Sequence, residues 1–283
     1  MERKIEKFFL KWKEDKIRKP LLLFGLKQIG KTYTVLEFGR KNYKNIAYFN
    51  TLHNEELLKI FKKERSIERL VKILSEFSDV SIEKNETLIV FDNIEDEEII
   101  KGVKLFGFDR NDYHVMAITS RRENLLKFSG EELQYKFMTE MDFEEYLWAR
   151  GEKELADLIR KAYQNKKACS KHAKIMDLFY DYLLTGGFPE VVKESFQSIS
   201  RGYYESVKEK VAEILRTFLT ECDNLIDIPR GLEVLDSIPS QLAKENKKFQ
   251  YGVLGYGRRA KEYENVIKYL VSNQLLYRSY KIR

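Results

Sequence analysis

The stretch Pro20–Thr32, PLLLFGLKQIGKT, constrains this chain more than any other. A buried-type apolar run, too short for a helix, leads directly into Gly25-x-x-x-x-Gly30-Lys31-Thr32, and helical character follows. Composition alone places G-x-x-x-x-G-K-[ST] in roughly one random chain in a hundred of this length. The strand before it and the helix after it make chance a poorer account. The chemistry follows from the parts. Gly25 and Gly30 permit backbone angles and close approaches that a side chain blocks. Loop N–H groups and the positive end of the next helix then face phosphate oxygens. Lys31 is the candidate for the β- and γ-phosphates and Thr32 for Mg²⁺. Gln28, Ile29 and Tyr33 complete the candidate nucleotide contacts. The bland reading is an ordinary strand-to-helix turn with a surface lysine.

The rest of the first half repeats the alternation. Apolar or β-branched runs at 20–24, 45–50, 87–92, 115–119 and 134–138 predict five strands. Ile5, Phe8, Phe9 and Trp12 predict an amphipathic helix over the first nineteen residues, ended by Pro20. Helices are also predicted over 32–41 and, as one long element, over 55–77. Such alternation predicts an α/β fold, a parallel sheet with helices on both faces. Past Phe143 the strands stop. Helical periodicity runs from 144 to about 216, then continues with interruptions at 228–231 and 237–239. A helix followed by a short strand is predicted within 261–280. The expected division is 1–143, an α/β domain with its N-terminal helix; 144–200, a small helical domain; and 201–283, a mainly helical domain.

A second signal is Leu88-Ile89-Val90-Phe91-Asp92, four apolar residues ending in a carboxylate. Beside a phosphate loop, Asp92 is the candidate metal-side carboxylate, a second ligand with Thr32. A turn-forming Asp at a strand end is the alternative. Asn93 follows, where hydrolysing relatives of such sites often place Glu. An amide orients water but takes no proton, so slow hydrolysis is expected. Glu95 shares its side of the chain if the strand continues. The fourth strand ends Thr119-Ser120-Arg121-Arg122. Arg121, nearer the strand end, is the candidate contact to a γ-phosphate, against a solvated loop with two arginines. Gly186-Gly187-Phe188-Pro189 reads as a corner between helices.

Charge and cysteine content bound the remainder. Of 283 residues only Cys169 and Cys222 are cysteines and 3 are histidines, which argues against a disulfide framework, a cysteine zinc cluster and a catalytic metal held by histidine. Neither a signal peptide nor a membrane span is apparent, so a cytoplasmic protein with reduced thiols is expected. The net charge of +6 suits solubility or a basic patch for DNA. Candidate phosphate contacts are Arg258, Arg259 and Lys261, and the N-terminal Lys7, Lys11, Lys13, Lys16, Arg18 and Lys19. Solvated lysine faces are the alternative.

Taken in order, GLKQIGKT after PLLLF, IVFDN, ITSR and LLTGGFPEVV resemble the AAA+/STAND branch of P-loop ATPases. MDFEEYLWARG, QLAKENKKFQYGVL and AKEYENVIKYLVSNQLLYR narrow the resemblance to a prokaryotic AAA-type family of uncharacterised function. The resemblance implies a sheet order 5-1-4-3-2 and a sensor formed by Thr119 or Ser120 with Arg121. It implies that 144–200 is a helical lid, that Gly187 and Pro189 form a corner with Pro189 near the adenine, and that the chain from 216 on is winged-helix-like. Family members usually continue into a restriction-endonuclease-like domain, which this sequence does not include. Related STAND proteins also carry Asp-Asn at the second motif, which favours a slow nucleotide switch. The leading expectation is therefore an ATP-binding protein, a slow Mg²⁺-dependent ATPase or switch. The others are a DNA-binding module with regulatory ATP and a non-hydrolysing scaffold. A small-molecule kinase shares the loop but has no recognisable acceptor site. A protein partner or a second copy is a further expectation, with Arg110 a candidate arginine donated between subunits.

Overall fold

The computed structural model describes residues 1–107, 112–120, 130–196, 201–220, 227–246 and 248–279. Helix α1 (Glu6–Glu14) precedes β1 (Leu21–Phe24), α2 (Lys31–Asn42) and β2 (Asn45–Asn50). Then come α3 (Glu55–Lys63), α4 (Ile67–Ser78), β3 (Thr87–Asp92), α5 (Glu97–Leu105), β4 (His114–Thr119) and β5 (Gln134–Phe137). The strands form one parallel sheet in the order β2-β3-β4-β1-β5. This is the order expected above, read from the opposite edge, with β4 between the phosphate-loop strand and the carboxylate-ended strand.

All residues of β3 and β4 are buried, as in a parallel sheet covered on both faces. Ile89, Phe91, Val115 and Ala117 join Leu57, Phe61, Leu70 and Leu74 in one core under α3–α5. The alternate residues face α1 and α2, where Trp12 lies edge-on to His114 at 6.0 Å and Phe9 to Phe38 at 5.3 Å. That two-sided burial brings the C-terminal strand ends and the start of α2 to one edge, where open α/β sheets bind ligands.

Four expected elements differ. The N-terminal helix covers only Glu6–Glu14; ahead of it, Arg3 reaches the carbonyl of Ile29 in the loop and Lys4 reaches Glu145. The predicted helix over 55–77 is two helices. Glu64 is extended, and its carboxylate accepts from the N–H groups of Arg65 and Ser66. A single helix there would run about 35 Å, nearly twice the span of a six-residue strand, so the break keeps both apolar stripes on the sheet.

The chain divides into two compact units, Met1–Tyr204 and Glu205–Arg283. In the first, α6 (Phe143–Ala149), α7 (Lys153–Asn165), α8 (His172–Thr185) and α9 (Pro189–Ser195) follow the sheet. The next helix, α10 (Arg201–Thr220), begins in the first unit and ends in the second, which also holds α11 (Ile228–Leu242), a 3₁₀ turn (Tyr251–Leu254) and α12 (Ala260–Ser272). The interruption predicted at 228–231 falls on the start of α11, which has Asp227 as its N-cap and Pro229 in its first turn, whereas the one predicted at 237–239 is absent, since α11 runs through Pro239. Ser237 and Ser240 hydroxyls bond to carbonyls one turn back, and Gly231 seats against Leu219 and Val266. The short strand expected at the end is also absent. Gln274 is left-handed, and the N–H groups of Leu275 and Leu276 close onto Leu270 O, capping α12 instead of entering a ladder. Among the described residues the second unit holds helices and no strand, so a winged-helix hairpin is not displayed. No helix among the described residues is long and apolar enough to cross a membrane.

Candidate functional site

The loop between β1 and α2 is shaped by two glycines. Gly30 has φ +86°, a left-handed angle that a side chain rarely adopts. At Gly25 a Cβ would lie 2.2 Å from Met138 O, so the loop can leave β1 only with a bare backbone. Ile29 is fully buried and offers only backbone to a ligand, while Gln28 is exposed and itself left-handed. Tyr33, on the first turn of α2, is 52 % exposed and accepts a hydrogen bond from the N-terminal ammonium at 3.4 Å.

Lys31 is buried at the start of α2. Its three N–H donors go to Gly25 O at 2.8 Å, Leu26 O at 2.7 Å and Ser120 Oγ at 3.0 Å. Burial pushes its ammonium down to about 7; Asp92 opposes the shift and Lys27 adds to it. The Thr32 hydroxyl donates to Asp92 Oδ2 at 2.7 Å. Residues of the loop, of β3 and of the end of β4 thus meet at one point. Thr119 closes β4, fully buried, with Ser120 just beyond it. Arg121, like Arg110, lies outside the described residues.

Asp92 is buried and held from three sides. Tyr48 donates to Oδ2 at 2.9 Å, alongside Thr32, and the N–H of Asn93 donates to Oδ1 at 2.8 Å. Burial and the neighbouring carboxylate push the Tyr48 phenol up to about 12, so it is a neutral donor at physiological pH. The strand ends at Asp92. Asn93 is left-handed, φ +58°, and its amide turns to β2, donating to Asn50 Oδ1 at 3.2 Å. Ile94 is buried with its N–H on Ile118 O, and Glu95 stands exposed. Glu95 therefore does not continue the strand alternation on which its expected equivalence to Asn93 depended.

A group that the sequence did not reveal closes the other side. Arg3 is 5 % exposed and donates to Ile29 O at 2.7 Å, Thr139 O at 2.6 Å and Glu145 Oε2 at 3.1 Å. Glu145 belongs to the capping box of α6 with Asp142 and also accepts from Lys4 N at 2.6 Å. A Cβ on Gly30 would lie 3.8 Å from Arg3 Nη1 and 3.5 Å from Pro189 Cγ. Pro189, the first residue of α9, therefore lies over the loop, and Gly187 before it pairs with Met141 through Met141 N–H to Gly187 O at 2.8 Å. Asp142-x-x-Glu145 was a legible capping signal; Arg3, 142 residues from Glu145, had none. Tyr48 was marked only by its outward place in the period-two pattern of β2.

The basic residues singled out as phosphate contacts have partners of their own in several cases. Lys13 donates to Asn42 O and lies over Tyr43, while Arg18 donates to Lys13 O and lies over Trp12. Arg258 pairs with Glu233 at 3.3 Å.

Residues 17–147 match a family model described as an AAA domain, and residues 176–283 match a domain of unknown function. Comparison with curated proteins gives no match. Among solved structures, one of Drosophila ORC bound to DNA is 15 % identical, with TM-score 0.41, over 97 % of this chain and 81 % of that one. A signal transduction ATPase with numerous domains and a tetratricopeptide repeat sensor, from Pyrococcus horikoshii, is 16 % identical with TM-score 0.44 over 97 % of this chain. The present chain spans 45 % of that protein's length. The glycine-shaped loop, the carboxylate-ended strand two places removed in the parallel sheet and the AAA-domain match all fall within residues 17–147, so that segment of the chain is an AAA domain.

Proposed function

We propose that this protein binds ATP with Mg²⁺ at the loop of residues 25–32 and acts as a slow ATPase or a nucleotide-gated switch. The observation that carries the reading is the meeting of Thr32 Oγ1 with Asp92 Oδ2 at 2.7 Å, beside a buried Lys31. A hydroxyl and a carboxylate are hard oxygen donors, a set that suits Mg²⁺, which keeps waters and phosphates as its other ligands. Thr32 and Asp92 would hold the ion, which when bound neutralises charge on the phosphate oxygens. The loop N–H groups cradle the phosphates, and Lys31 exchanges its two loop carbonyls for phosphate oxygens. Ser120 holds the lysine on its sheet side. Pro189 and Arg3 bring the helical region of 144–200 and the N-terminus against the loop. This supports reading that region as a lid whose seat depends on the nucleotide.

Asn93 favours slow turnover. Its amide is turned to Asn50 and has no base to offer an attacking water. The same contact favours a second reading, a scaffold that binds ATP without hydrolysing it. Mg-ATP turnover and fluorescent-nucleotide binding, each with Lys31→Ala as the blank, separate the two. Turnover lost in the variant supports an ATPase. Binding without turnover supports the scaffold. No binding by the parent protein overturns both.

A further inference from the structure

Away from the nucleotide site, α7 and α8 border an open groove of about 750 Å³. Phe143, Ile159, Ala162, Ile175, Met176 and Phe179 form its apolar floor. Tyr163, at the edge, is 86 % exposed. Lys166, Lys167 and His172 line the rim, and no carboxylate lines any part of it.

The local charge pattern is equally one-sided. From Leu158 to Met176 the chain carries Arg160, Lys161, Lys166, Lys167, Lys171 and Lys174 and no Asp or Glu. Arg160 pairs with Glu144 and Lys174 with Glu152. Lys161, Lys166, Lys167 and Lys171 make no ion pair with a described residue. Elsewhere on this unit lysines are interleaved with glutamates, as at Lys44 with Glu83 and Glu86, or Lys101 with Glu97 and Glu98. Uncompensated cations around an exposed apolar trough cost self-repulsion and solvation, and a ligand that is both apolar and anionic relieves both.

We propose that this groove takes an acidic amphipathic helix from a partner protein. Its apolar anchors, at the i, i+3, i+4, i+7 spacing of a helix lying in a groove, fill the floor, and its flanking carboxylates meet Lys166 and Lys167. The trough mixes Ile159, Ala162, Ile175 and Met176 with Phe143, Tyr163 and Phe179, of which only Tyr163 is exposed. A nucleic-acid strand instead seeks stacked aromatic platforms along a basic track, and only Tyr163 stands out at the rim. Charge complementarity sets encounter and register, while the buried apolar anchors carry affinity.

The test uses the full chain with Cys222→Ser, which leaves Cys169, half-buried in the groove lining, as the sole thiol. A random peptide-display library is selected against it, and the enriched peptides are synthesised. The expected peptides carry apolar anchors at helical spacing among Asp and Glu. They slow alkylation of Cys169, and K166E/K167E weakens them about tenfold or more. K62E/K63E, the same charge change on exposed lysines of α3, leaves them unaffected. No enrichment, equal loss in both double variants, or an unprotected Cys169 overturns the proposal. Fluorescein-labelled single-stranded DNA, or phosphatidylserine vesicles, bound in place of peptides and lost in K166E/K167E would overturn it in favour of those partners.

Discussion

The Arg3–Glu145 pair permits a quantitative test of how the N-terminus is tied to the phosphate loop. Both side chains are nearly excluded from solvent, 4 % and 7 % exposed. Arg3→Met removes the guanidinium and strands the Glu145 carboxylate, which retains only the N–H groups of Lys4 at 2.6 Å and Asp142 at 3.3 Å. The carbonyls of Ile29 and Thr139 lose their donor as well. Breaking one side of a buried ion pair costs about 3–5 kcal/mol. In a unit of this size the midpoint falls about 2–4 °C per kcal/mol, so a drop of roughly 6–20 °C is expected. Thermal and urea unfolding measure it, and ATP affinity measured below the new midpoint reports on the loop. The double variant Arg3→Met/Glu145→Leu removes the stranded charge and recovers most of the loss, since replacing both partners by apolar groups is often neutral. A loss below about 1 kcal/mol would place the pair with exposed ion pairs. A double variant no more stable than the single one would refute the stranded-charge account.

Three further outcomes follow from the site and the core. Lys31, at about 7 against its ordinary 10.5, is largely neutral in the free protein above pH 7, whereas phosphate oxygens favour the ammonium. ATP binding therefore takes up a proton, and affinity falls by up to about tenfold per pH unit above 7; calorimetry in buffers of different ionisation enthalpy checks this, and an affinity flat from about pH 7 to 9 would refute it. Asn93→Glu does not raise turnover, because the backbone at 93 is left-handed and aims the side chain at Asn50; a tenfold gain in a coupled assay, about 1.4 kcal/mol off the barrier, would overturn that geometry. His114 is held neutral, with Tyr43 OH at 2.6 Å from Nδ1 and Asn85 Oδ1 at 3.2 Å from Nε2, and burial pushes it down from 6.5 to about 3. Its folded value lies below its unfolded one, so stability is full above pH 6.5 and declines as pH falls from 6.5 toward 3; His114→Gln should flatten that slope in acid-unfolding curves.

Local patterns made much of the α/β half legible in advance. Strand Thr87–Asp92 coincides with its apolar run because a buried parallel strand needs little beyond β-branched bulk and length, and the edge strand Asn45–Asn50 shows in its alternation of buried Ala47 and Phe49 with exposed Tyr48 and Asn50. Lys31, Thr32 and Asp92 were picked out by residue type at fixed spacing, and the structure brings Thr32 and Asp92 within 2.7 Å beside Lys31. The helical parts were less legible. Apolar residues at helical spacing continue across Glu64–Ser66, and only the limited width of the sheet shows why the helix must break there. At Pro239 the reverse holds. Sequence rules end a helix at proline, yet α11 continues through Pro239 to Leu242.

By itself the sequence determined that this chain folds around a glycine-shaped strand-to-helix loop and a carboxylate-ended strand, since both signals are local. Tertiary structure alone decided which way Asn93 faces, that Tyr48 shares Asp92 Oδ2 with Thr32, and that Arg3 lies beneath the loop held by Glu145. The physical reason is range. A motif is written in adjacent residues, whereas Arg3 and Glu145 meet across 142 positions, where nothing in either neighbourhood records the other.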